Sequence, residues 1–68
     1  MKIELAKDKD GYTAKVAGRK NLFAFGYTKQ EALEELSGVA AGELESEQEI
    51  AQFEKRIQEY LHKIQHEG

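Results

Sequence analysis

Apolar and polar residues alternate along the first third of the chain and then recur at helical spacing. Residues 2–7 alternate, with Ile3 and Leu5 on one face, the period-two pattern of a half-buried strand. Asp10-Gly11 follows and signals a hairpin, because Gly accepts positive φ. Residues 12–17 alternate again and place Tyr12, Ala14 and Val16 together. Gly18-Arg19-Lys20-Asn21 reads as a second turn. Residues 22–27 are apolar on both faces, with Phe23, Phe25 and Tyr27 pointing one way and Leu22 and Ala24 the other. Such a strand is covered on both sides or meets another chain.

The period then changes. Thr28-Lys29-Gln30-Glu31 is a capping box, and Ala32, Leu33, Leu36, Val39 and Ala40 follow at helical spacing. Gly38 weakens this helix, and Gly42 is its expected C-terminal stop. Residues 43–49 form an acidic joint, and Ser46 to Glu49 make a second capping box. From about residue 47 to 66, Ile50, Phe53, Ile57, Leu61 and Ile64 form one stripe bordered by Tyr60. This predicts a long amphipathic helix whose stripe packs on the sheet, on a second copy, or on a different protein. The expected fold is α+β: a three-stranded antiparallel β-meander with one packed helix over residues 1–42. The acidic joint and C-terminal helix occupy 43–68, as part of the same domain or as an oligomerisation or partner-binding arm.

Size and charge sharpen this. A chain of 68 residues allows one domain with a marginal core. Without Cys it has no disulfide or thiolate metal site, so association with a partner or a second copy is expected to stabilise it. No apolar run approaches the roughly 18 residues of a membrane span. No apolar leader follows Met1-Lys2, so a cytoplasmic location is expected. The net charge of -3 is unevenly spread. Residues 1–28 hold six basic and three acidic side chains, and residues 29–68 hold four basic and ten acidic. An acidic surface steers toward basic partners and away from nucleic acid.

Candidates for chemistry are few. His62 and His66 share a helix face at zinc-compatible spacing, but no third ligand is evident and Lys63 stands where a zinc peptidase has Glu. Asp8 and Asp10 flank Lys9 in a turn, as hairpins favour. Ser37 and Ser46 have no neighbouring His, and the glycines form no phosphate loop. Neither an enzyme, a metal nor a cofactor is expected. Phe23, Phe25 and Tyr27, near Arg19 and Lys20, could stack bases, yet they suit a sheet–helix core equally well. The acidic second half makes direct nucleic-acid binding unexpected.

Two segments carry a resemblance. Asp10-Gly11-Tyr12-Thr13-Ala14-Lys15-Val16 resembles the "DGGYxAxxP" hairpin of HicB-type antitoxins. Gly26-Tyr27-Thr28-Lys29-Gln30-Glu31-Ala32-Leu33-Glu34-Glu35-Leu36 is similar to that family's "GxTxxEAxxxL", where a strand runs through a Thr cap into a helix. The resemblance covers roughly residues 2–41. It implies a curtailed ribonuclease-H-like sheet with one packed helix. It also implies neutralisation of a small basic ribonuclease toxin, HicA, by covering its active surface. The family's Pro and "LPG" turn are replaced here by Gly18-Arg19-Lys20-Asn21. Where many members place a fourth strand beside the first, this chain reads as helix, which would leave an edge of the first strand open. No segment reads as the DNA-binding domain that most members add.

The resulting expectation is a non-catalytic protein-binding module resembling a HicB-type antitoxin. Its basic RNA-cleaving partner would meet Phe53, Ile57, Tyr60, Leu61 and Ile64 together with Glu43, Glu45, Glu47 and Glu49. A homodimer or higher homo-oligomer is expected as well. Two alternatives stand beside it. One is a small acidic inhibitor of another nucleic-acid-processing enzyme, an anti-CRISPR-like mimic. The other is a structural homo-oligomer with no foreign target.

Overall fold

The first hairpin turns on two residues. In the computed structural model, which describes residues 2–66 (of His66 the backbone alone), β1 (Ile3–Asp8) and β2 (Gly11–Val16) pair antiparallel. Ile3 lies opposite Val16 and Asp8 opposite Gly11, so Lys9 and Asp10 make the turn. The Lys9 N–H donates to Asp8 Oδ1 at 2.7 Å. β3 (Arg19–Gly26) pairs antiparallel with the other side of β2, giving the sheet order β1-β2-β3.

The second turn is earlier and shorter than the sequence suggests. It consists of Ala17 and Gly18, and Arg19, Lys20 and Asn21 belong to β3. Gly18 has φ 80°, the positive value a type II turn needs at its second central residue. Beyond the turn the pairing slips. Val16 faces Arg19 while Lys15 faces Phe23, so Lys20, Asn21 and Leu22 have no opposite residue in the ladder. The alternation of residues 22–27 does not reveal such a bulge, because it begins only where the bulge ends.

β3 buries its small side. Leu22, Ala24 and Gly26 face the helices, while Phe23, Phe25 and Tyr27 are exposed. The cause is steric. A Cβ on Gly26 would come within 2.7 Å of Ala32 Cα, so only glycine lets the next helix land on the strand. That helix, α1 (Lys29–Glu43), starts at Thr28, whose Oγ1 accepts from the Glu31 N–H at 3.0 Å. Ala32, Leu33, Leu36 and Ala40 are buried beneath it.

α1 continues through Gly42 rather than stopping there. It ends at Glu43 because Leu44 turns extended (φ -84°, ψ 133°) and enters the core. The acidic joint is thereby only residues 44–46. Glu47 and Glu49 lie in the first turn of α2 (Glu47–His66), where carboxylates favour the positive end of the helix dipole. The second capping box is not realised as expected. Ser46 contributes its carbonyl, which accepts from the Ile50 N–H at 3.0 Å, while the Glu49 carboxylate pairs with Arg19 at 3.1 Å.

α2 packs mainly on α1 and extends one core across the whole chain. Phe53 and Ile57 join Ile3, Val16, Leu22, Leu33, Leu36 and Leu44 in that core. Residues 2–42 and 43–66 thus share one interior. Among the described residues, no helix is long and apolar enough to cross a membrane.

Candidate binding surfaces

Three surfaces compete for a functional role: the α2 stripe, the acidic exterior of the helices, and the open side of β3. The α2 stripe is largely consumed by folding. Phe53 is 1% exposed and Ile57 2%, so neither can meet a partner unless α2 moves. This corrects the expectation that both belong to a contact surface: α1 needs an apolar lid, and the N-terminal half of α2 supplies it. Further along, Tyr60, Leu61 and Ile64 are only half-buried.

Tyr60 has a second role that the stripe pattern does not show. Its hydroxyl donates to the Ile3 carbonyl at 2.9 Å. The Ala17 N–H donates to the Lys2 carbonyl, which sets the alternation of the first ladder. Ile3, Leu5 and Lys7 therefore turn their N–H and C=O groups away from β2, toward the sheet edge. Tyr60 occupies the first of these edge carbonyls, and Lys63 Nζ lies 5.9 Å from the Tyr60 ring centroid. The open first-strand edge expected from the sequence is partly sealed by the C-terminal helix.

The acidic exterior is formed by α1, the joint and the start of α2. Glu31, Glu34, Glu35, Glu43, Glu45 and Glu47 are all exposed. Between Asn21 and Glu54 the only basic residue is Lys29. Glu43, Glu45 and Glu47 are thus available as the sequence suggests, whereas Glu49 is engaged by Arg19.

The third surface emerges only in the fold. Phe23 is 59% exposed, Phe25 43% and Tyr27 70%. Phe25 and Tyr27 meet edge-to-face, with centroids 5.6 Å apart and planes at 82°. Their cross-strand neighbours are polar: Lys15 lies opposite Phe23 and Thr13 opposite Phe25. Among the described residues no helix covers this side of the sheet. The sequence signal was the aromatic row itself. What it lacked was the reason to choose Gly26 and Ala24 as the buried side.

The described residues hold no buried charged or polar side chain, so the interior contains no desolvated acid, base or nucleophile. No three His, Cys, Asp or Glu side chains among them converge as a metal site. His62 is exposed on α2, and the His66 side chain lies outside the described residues. Asp8 and Asp10 are exposed beside their turn. Comparison with protein-family models, with curated proteins and with solved structures finds no match.

Proposed function

We propose that this chain is a non-catalytic protein-binding module that acts like a HicB-type antitoxin. It captures a small basic RNA-cleaving protein on the acidic exterior of α1 and the joint. The one-sided charge supports this most directly. Six glutamates, Glu31, Glu34, Glu35, Glu43, Glu45 and Glu47, are exposed along α1, the joint and the start of α2, and Lys29 is the one basic residue of that stretch of sequence, with Arg19 and Lys20 of β3 lying beside Glu43. A surface of that kind raises encounter rates with a cationic partner and repels polyanions. The βββα order through a Thr28 cap, which the two resembling segments imply, is also present.

The test is co-expression with a small basic ribonuclease of the HicA type, followed by an RNA-cleavage assay. Stoichiometric addition should suppress cleavage. Glu43→Lys, Glu45→Lys and Glu47→Lys together should weaken capture roughly 10-fold or more, with the loss deepest at low salt. Cleavage that proceeds unchanged in the presence of excess protein would sink this assignment. Salt-sensitive binding to a large nucleic-acid-processing complex would replace it with the charge-mimic alternative.

A further inference from the structure

The chain also carries a surface suited to a second copy of itself, independent of the capture proposed above. The alternation that turns the N–H and C=O groups of Ile3 outward on β1 continues across the sheet. Even-numbered residues of β2 bond to β3, so Ala14–Ala24 and Tyr12–Gly26 are the hydrogen-bonded pairs. Phe23 and Phe25 therefore direct their N–H and C=O groups to the free edge of the sheet. No hydrogen bond among the described residues occupies these groups. The same two residues expose their rings. From Asn21 to Thr28 the strand and the two residues after it have no charge and no proline, and the pairing is unbulged from Phe23 to Gly26. The usual protections of an edge strand are absent there.

We infer that β3 pairs antiparallel with β3 of a second copy, about a two-fold axis at Phe25, to make a continuous six-stranded sheet. In this register Phe25 faces Phe25, and Phe23 of each copy faces Tyr27 of the other. All three cross-strand pairs are aromatic, which is the self-complementarity a two-fold interface requires. The bulged residues stay outside the paired segment, and so does Lys29, the first residue of α1. The area suffices. With about 200 Å² per aromatic side chain, the three rings leave roughly 350 Å² exposed on each copy. Edge pairing covers the strand backbone and the flanks of the rings while their faces stay open, so about 1,000 Å² over both copies is the ceiling, the lower end of specific interfaces and suited to a weak dimer.

The chain has no Cys, so one introduced thiol reports the register. Two residues paired across such an axis stand about 5.5 Å apart at Cα, within disulfide range. Sedimentation should show a concentration-dependent dimer of the native chain. Phe25→Cys should give a crosslinked dimer under oxidation, and Lys9→Cys, at the far hairpin, should not. Phe25→Lys should raise the dimer dissociation constant on the order of 100-fold while leaving the circular dichroism of the dilute monomer unchanged. A native chain that stays monomeric at high concentration would overturn the inference and leave β3 to an extended segment of another protein. So would a Phe25→Lys dimer as tight as the native one, which would move the interface to the α2 stripe.

Discussion

The two edges of the sheet are built from similar lengths of strand and are treated in opposite ways. β1 contains Lys7 and is flanked by Lys2 and Lys9, and its first outward carbonyl, that of Ile3, accepts from Tyr60. β3 confines its charges, Arg19 and Lys20, and its bulge to its first residues, and from Phe23 on it presents Phe23 and Phe25, followed by Tyr27, with neither charge nor cover. The difference follows from where the helices sit. α1 rests on β3 and β2 from one side and leaves the outer edge of β3 free, while α2 packs on α1 and reaches β1 through Tyr60. The C-terminal helix thus closes the core and guards one edge together. An unguarded edge beside an exposed aromatic row is the place where association is least costly.

The largest expected effect comes from detaching the guard. Phe53→Ala should destabilise the fold by about 3–5 kcal/mol, because it removes a ring buried among both helices and the sheet. For a domain of this size that is most of the stability. Urea denaturation should show a collapsed midpoint, and a loss under about 1 kcal/mol would mean α2 is not part of the core.

A subtler change isolates the β1 edge. Tyr60→Phe keeps the ring and removes only the bond to Ile3, and should cost about 1 kcal/mol. Amide exchange along β1 should quicken while β3 stays as it was. Equal changes on both strands would erase the contrast drawn between them. The smallest effect concerns Arg19, half-exposed at 50% and paired with a Glu49 that is 43% exposed. Arg19→Ala should cost about 0.5 kcal/mol or less, vanishing at high salt. A larger value from thermal melts would show that this pair pins the start of β3 to α2.

Much of the architecture was legible in local spacing. Three alternating runs, the Thr28 cap and the α2 stripe each identify an element, because strand and helix periods are read within a few residues. The glutamates of the acidic exterior were equally legible, since α1 and α2 leave no other place for them. Boundaries were less so. Gly42 looked like a stop, but the helix ends where Leu44 finds the core. Arg19 to Asn21 looked like a turn, but Gly18 alone supplies the positive φ the turn needs.

The amino-acid order by itself determined the number and kind of elements, the cap of α1 and the uneven charge, all set by neighbours within one or two turns of chain. Tertiary structure decided which side of β3 is buried, because Gly26 must yield to Ala32. It also decided which stripe residues of α2 are spent, because Phe53 and Ile57 fill a space bounded by α1 and the sheet. And it decided which edge is sealed, because Tyr60 meets Ile3 across 57 positions of sequence. Those choices rest on close contacts between residues far apart in the chain, where periodicity carries no information.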